Sequence, residues 1–175
     1  RPADMDASAG SVKQLQRIVA QIRRSWPDVT ITIRADSGFC REAIMAWCEA
    51  NGVGYVLGLA QNTRLKARIA AEQEQARVEF ERTKEPARVF TDLQYRTLDS
   101  WSRERRVVAK AEHLAKGANP RFVVTSLTSE DHAAKTLYEE DYCGRGEMGN
   151  RIKEQQLHVF AYRTRGKTMR ASTGR

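Results

Sequence analysis

Asp36 lies directly after a predicted strand. Residues 29–33 alternate β-branched side chains, and the turn sequence Asp36-Ser37-Gly38 follows. Open α/β sheets bind ligands at the carboxyl ends of their strands. A carboxylate there suits Mg²⁺, which prefers oxygen ligands, and two such ions can activate a nucleophile and stabilise a leaving oxygen in phosphodiester chemistry. Asp-Ser-Gly is also common turn chemistry, so a second interpretation is that Asp36 only caps the turn.

Tyr142 and Arg145 lie three residues apart near the C-terminus. The planar guanidinium of an Arg donates two parallel hydrogen bonds to a phosphate, and a Tyr stacks on a base or donates its hydroxyl to a phosphate. Both side chains are thus chemically able to contact nucleic acid, but their types and spacing alone do not assign them that role. The alternative is that Tyr142 is a packing aromatic on a helix and that Arg145 is a solvated cap.

The spacing of this segment, read with Asp36, resembles the catalytic half of the DDE transposases of bacterial insertion sequences. In that family the last helix carries Tyr, two residues, Arg, three residues, Glu, six residues and Lys. Tyr142 and Arg145 fit this spacing, whereas Gly149 stands at the Glu position and Gln156 at the Lys position. The resemblance extends over nearly the whole chain.

The resemblance implies cut-and-paste DNA transposition on a ribonuclease-H-like core. In the family, two Asp and one Glu bind two divalent ions, Mg²⁺ or Mn²⁺, and the nicked ends of the element are joined to target DNA. The implied partners are terminal inverted repeats and target DNA, with a homodimer in the synaptic complex. Asp36 matches the second Asp and is the implied metal ligand, while the first Asp is expected upstream of this sequence. The predicted DNA-binding residues are Tyr142, Arg145, Arg151, Lys153 and Gln156.

Gly149 is the catalytic position at which the sequence departs from the family. It offers no ligand atom, and Gly inside a helix costs about 1 kcal/mol relative to Ala. On a helix with about 100° per residue, Glu147 points about 200° and Glu154 about 140° away from Gly149, so a stand-in would require the helix to rewind. We expect metal-dependent strand cleavage and transfer to be the family function and this chain to be inactive. The alternatives are a catalytically dead remnant that only binds DNA and a non-functional fragment.

Composition agrees with a polyanionic partner. The net charge is +8 over 175 residues, and residues 161–175 form a basic tail without Asp or Glu. No apolar run approaches the ~20 residues that span a bilayer, and no signal-peptide pattern is found, so we expect a cytoplasmic protein. Cys40, Cys48 and Cys143 lack close CxxC spacing and are predicted to be reduced, partly buried thiols.

The order of the predicted elements indicates an α/β fold with parallel strands. The resemblance implies that this fold is a partial ribonuclease-H-like core that lacks the first strands and has a β-rich insertion before the last helix. Loss of those strands predicts an exposed sheet edge. The predicted units are residues 1–60 (partial core), 61–128 (helix and antiparallel β insertion), 129–160 (C-terminal helices) and 161–175 (basic tail). Hydrophobic periodicity, composition and start and stop signals together predict helices over 11–23, 41–50, 62–82, 129–138 and 145–160, and strands over 29–33, 53–59, 89–98, 105–113 and 122–127.

Overall fold

Six strands of one mixed sheet organise residues 7–144, which are the part of the chain that the computed structural model describes. The strands are β1 (Thr32–Ala35), β2 (Gly54–Leu59), β3 (Ala87–Tyr95), β4 (Arg105–Leu114), β5 (Gly117–Ala118) and β6 (Arg121–Thr125). The helices are α1 (Ala7–Ser25), α2 (Glu42–Ala50), α3 (Thr63–Arg68), α4 (Ala70–Thr83) and α5 (Ala134–Thr136). A 3₁₀ turn covers Ser37–Phe39, and a π-helical turn, Leu137–Tyr142, continues α5.

The strand order is β1-β2-β6-β4-β3, with β5 paired to β4. β1 and β2 are parallel, as the helix, strand, helix, strand order of the sequence predicts, because α2 provides the crossover between them. The pairs β2–β6, β6–β4 and β4–β3 are antiparallel. The antiparallel strands therefore continue the sheet that β1 and β2 begin, through the register Leu57↔Val124.

Both faces of the sheet are covered because side chains alternate along each strand. Tyr55 and Leu57 of β2 point into the main core, where α1, α2, α3 and α4 pack. Val56 points the opposite way, into a smaller cluster under the π-helical turn. Burial of one Val, Leu or Ile side chain stabilises the fold by about 1.5–3 kcal/mol. The main core and the smaller cluster therefore both stabilise the packing of helices against the sheet. The fully buried members of the smaller cluster are Val56, Val108, Val123 and Leu137.

The predicted helix over residues 62–82 is two helices that meet at Ile69. The backbone at Ile69 leaves the helical region, with φ −117° and ψ 24°. Leu65 and Ile69 are both fully buried, and the break lets each side chain reach the main core. Asn62 caps α3 by accepting a hydrogen bond from the Leu65 amide at 2.9 Å.

The helix predicted over residues 129–138 has the wrong start, because α5 begins only at Ala134. Residues 128–132 form a turn in which Thr128 donates its hydroxyl to Asp131 at 2.8 Å. Arg106, on strand β4, restrains that turn through hydrogen bonds. Its guanidinium donates to the backbone carbonyls of Leu127, Thr128 and His132 at 2.9, 2.8 and 2.7 Å.

The three cysteines are free thiols in different surroundings. Cys48 is buried and Cys40 half-buried, as predicted, and burial raises the pKa of each to about 11. Cys143 is exposed. Thiols with raised pKa values are poor nucleophiles, so Cys40 and Cys48 act as small hydrophobic residues.

Two expectations fall beyond this region, since the predicted helix over residues 145–160 and the basic tail over 161–175 lie outside the described residues. Within residues 7–144, none of the helices combines the length and the apolar character that a bilayer crossing requires.

Candidate functional site

Asp36 lies at the carboxyl end of β1, where the sequence predicts it, and its side chain is exposed. It also caps the 3₁₀ turn, because its Oδ1 accepts a hydrogen bond from the Gly38 amide at 3.0 Å. Asp36 can therefore cap the turn and still be a candidate metal ligand. A carboxylate has two oxygens and accepts several hydrogen bonds, so a cap on one oxygen does not prevent a further ligand.

Tyr142 reaches the same place from the other end of the described chain. It is the last residue of the π-helical turn and is half-buried against the smaller cluster. A Cβ built on Gly58 of β2 would lie 2.5 Å from the Tyr142 hydroxyl and 3.1 Å from the amide nitrogen of Ser37. The Tyr142 hydroxyl and the peptide that follows Asp36 thus converge on the bare backbone of Gly58.

A cleft of about 310 Å³ opens at this point. It lies at the carboxyl ends of β1 and β2, beside the amino end of β6, which runs antiparallel to β2. Its lining brings together Asp36 and Tyr142, two candidate residues from distant parts of the sequence. The polar part of the lining consists of Asp36, Ser37, Gln61, Arg121, Tyr138 and Tyr142. A volume near 300 Å³ is the lower limit of ordinary ligand sites and fits a few groups of a larger, extended molecule.

The π-helical turn is held near its C-terminal end by two contacts of Asp141. Arg34 of β1 donates to the carbonyl oxygen of Asp141 at 2.6 Å, and His132 lies 2.7 Å from the Asp141 carboxylate. The rings of Tyr138 and Tyr142 pack with centroids 5.7 Å apart. The amide of Cys143 donates to the Tyr138 carbonyl at 2.9 Å, an i→i+5 bond that defines the π turn. Such turns are frequent at functional sites, and this one aims Tyr142 at the cleft.

A larger cavity, of about 760 Å³, lies on the other side of the 3₁₀ turn. Phe39, Cys40, Ile44 and Trp101 give it a largely apolar wall. Its carboxylate, Glu42, is paired with Arg105 at 2.7 Å. Ser11, Arg41 and Ser100 also line this cavity, but neither Asp36 nor Tyr142 does, so the smaller cleft is the better candidate.

A buried ion-pair network next to that cavity was not predicted from the sequence. The Arg105 side chain is 2% exposed and lies 2.8 Å from Glu49, which also accepts a hydrogen bond from the Tyr55 hydroxyl at 2.7 Å. Burial raises the pKa of Glu49, but the hydrogen bonds from Arg105, Tyr55 and Arg103 outweigh it and lower that pKa to about 2. Every charge in the network has a partner, which indicates a structural role.

The described residues supply one member of the expected metal site. Within residues 7–144, no group of three or more His, Cys, Asp or Glu side chains lies close enough to hold a metal ion. Asp36 is thus the single expected ligand in this region. The remaining predicted site positions, Gly149, Arg145, Arg151, Lys153 and Gln156, and the alternatives Glu147 and Glu154, lie outside the described residues.

The family model described as Transposase DDE domain group 1 matches residues 1–175. The chain belongs to this family. Membership confirms the resemblance to DDE transposases at the level of the family and supports a function in DNA transposition, with DNA as the substrate and divalent metal ions in general use among its members. Comparisons with curated proteins and with solved structures show no significant match.

The DDE family implies a ribonuclease-H-like fold, and the mixed α/β sheet agrees with that implication. Sequence reasoning missed two residues of the cleft, Gly58 and Arg121. Gly58 carried a usable signal, because a Gly inside an apolar strand often marks a close backbone approach. Arg121 carried none, since its place in the cleft depends on the order of the strands.

Proposed function

We propose that this chain is the catalytic domain of an insertion-sequence transposase, which cleaves DNA strands and transfers their ends. One observation carries the proposal: Asp36 and Tyr142, which the family pattern selects from opposite ends of the chain, line one cleft at the carboxyl ends of parallel strands. A protein without this function has no evident need for that convergence.

Asp36 is, in this proposal, one carboxylate of the metal site. Each Mg²⁺ ion needs several oxygen ligands, so one carboxylate does not hold a pair of ions and residues 7–144 do not complete the site. When bound, the ions would supply charge stabilisation for phosphodiester cleavage. Asp36 itself provides an exposed anionic oxygen. Its position is restrained by the end of β1 and by the hydrogen bond from the Gly38 amide.

Tyr142 is the proposed contact to the DNA end. Packing against Tyr138 fixes its ring, and its hydroxyl lies beside the Asp36–Ser37 peptide. A phenol in this position can donate to a phosphate oxygen or stack on an unpaired base. Arg145, Arg151, Lys153 and Gln156 extend the proposed DNA contact along the family signature.

The first Asp of the family is proposed to reach the cleft on a strand that pairs with β1. Among the described strands, β1 lies at one end of the sheet order and pairs with β2 alone. The backbone groups on its outer side are available for another parallel strand, whose carboxyl end would lie beside Asp36. This is the partial ribonuclease-H-like core that we propose for the chain, acting as a homodimer in the synaptic complex.

Gly149 favours a second candidate, a transposase remnant that binds DNA without cutting it. The residue replaces the Glu that completes the family's ligand set, and Gly has no atom that can take its place. The basic charge and the Tyr and Arg of the signature are retained. Such a remnant would therefore still bind DNA after it had lost the ability to cleave it.

Binding to duplex DNA separates both candidates from a non-functional fragment. The domain is expected to bind a labelled element end more tightly than an unrelated duplex of equal length, and to lose affinity as NaCl rises because phosphate contacts release counterions. Asp36→Asn should bind at least as tightly, since it removes a negative charge and keeps the cap on Gly38. A chain that binds neither duplex at low salt would refute the proposed function.

A further inference from the structure

Arg121 begins β6 at the edge of the sheet where Asp36 lies. The antiparallel register Leu59↔Phe122 sets the start of β6 beside the end of β2. β1 runs parallel to β2, so its carboxyl end, with Asp36, lies at the same edge. This geometry explains why Arg121 and Asp36 line one cleft although no sequence motif links them.

Arg121 differs in its pairing from Lys110, the residue opposite it in the register of β4 and β6. The Lys110 ammonium lies 2.7 Å from Glu112 and 5.3 Å from the Tyr138 ring centroid. Arg121 is exposed and forms no ion pair with a carboxylate of residues 7–144. It is thus a cation of the cleft that remains available to an anion from solution.

Arg121 lines the same cleft as Tyr138 and Tyr142. The rings of these two tyrosines pack with centroids 5.7 Å apart. Burial raises the pKa of the Tyr138 phenol, and the positive charge of Arg121 opposes that rise, which agrees with their shared position.

The cleft also carries a negative charge, because Asp36 lines it at the end of β1. A DNA phosphate near Asp36 would be repelled by that carboxylate unless a fixed positive charge offset it. Arg121 supplies that charge at the same edge of the sheet.

We propose that Arg121 is a positioning residue that binds a phosphate of the DNA strand reaching Asp36. Its planar fork matches two oxygens of a phosphate, and its place on a strand gives it a fixed base. This inference rests on the proposed function and adds a DNA contact from the β6 strand to those of the family signature.

The test measures DNA affinity of the whole chain against NaCl concentration for Arg121→Gln, with Arg96→Gln as the matched control. Arg96 is also an exposed arginine, but it follows the end of β3, at the opposite edge of the sheet. Loss of one phosphate contact on duplex DNA reduces the magnitude of the slope of log affinity against log salt by about 0.9. We expect that reduction in Arg121→Gln, an unchanged slope in Arg96→Gln, and a slope restored by Arg121→Lys.

The outcomes separate this inference from the proposed function. If wild type binds DNA and Arg121→Gln has the same slope as Arg96→Gln, Arg121 does not contact a phosphate, and the transposase proposal stands. If wild type shows no DNA binding at low salt, both are refuted. Arg121 is exposed, so thermal unfolding of Arg121→Gln should match wild type and confirm that the slope reports binding.

Discussion

Gly58 is the residue on which the geometry of the cleft depends. Its missing side chain leaves the space in which the Tyr142 hydroxyl and the Ser37 amide meet. The amide belongs to backbone fixed by the 3₁₀ turn, so it cannot give way as a flexible side chain would. Gly58 thereby couples two site residues that come from distant parts of the sequence.

Gly58→Ala is expected to lower the free energy of unfolding by about 1–3 kcal/mol, because the added methyl group overlaps the Tyr142 hydroxyl and crowds Ser37. It should also weaken DNA binding by displacing Tyr142. Gly10→Ala is the control, since nothing lies within 4 Å of a Cβ there and Ala in a helix gains about 0.5–1 kcal/mol over Gly. Denaturant unfolding of both variants measures the difference. Equal stability of Gly58→Ala and wild type would show that the contact is not tight.

At the scale of elements, Arg105 joins α2 to the sheet. The guanidinium lies on β4 and bridges Glu42 and Glu49, which occupy the first and last turns of α2. Its cation also lies 5.6 Å from the centroid of the buried Trp101 ring. α2 follows the 3₁₀ turn that Asp36 caps. The ion pairs of Arg105 therefore restrain the backbone next to Asp36.

Glu49 predicts how stability depends on pH. Its pKa is about 2 in the folded chain, below the ordinary value of 4.5, so the ionised form is favoured by folding. Its contribution is therefore complete above about pH 5 and is lost as the pH falls towards 2; its size is on the order of 3 kcal/mol. Unfolding measured between pH 6 and pH 2 should show this loss. Glu49→Gln should be less stable at pH 6 and flatter across the range; an unchanged pH profile would contradict the assignment.

The sequence predicts those elements whose cause is local. The β-branched run before Asp36 predicts β1, and the helix predicted over residues 41–50 is α2; the bounds of both lie within three residues of those predicted. The break at Ile69 depends on burial of that side chain in the core. The turn at residues 128–132 depends on hydrogen bonds from Arg106. The hydrophobic periodicity of the sequence encodes neither contact. The sequence pattern selects Asp36 and Tyr142, whereas the place of Arg121 in the cleft depends on the order of the strands.

At the scale of the whole molecule, the sheet has a protected centre and an exposed end. β6 lies between β2 and β4 and is buried on both faces, whereas β1 is at the end of the order. Amide hydrogen exchange should therefore be slowest at Val123 and Val124 and markedly faster along β1. Protection of β1 equal to that of β6 would show that the outer edge of β1 is already paired, and would contradict the proposed place of the first Asp.

The Asp36 carboxylate is proposed to serve DNA cleavage. The most direct test follows nicking of end-labelled element DNA in Mg²⁺ or Mn²⁺, by a form of the domain that carries the family's first Asp. We expect no nicking with Gly at 149, nicking by Gly149→Glu, and loss of that nicking when Asp36→Asn is added. Nicking that persists with Asp36→Asn would show that this carboxylate is not needed, and nicking with Gly at 149 would show that another carboxylate completes the site.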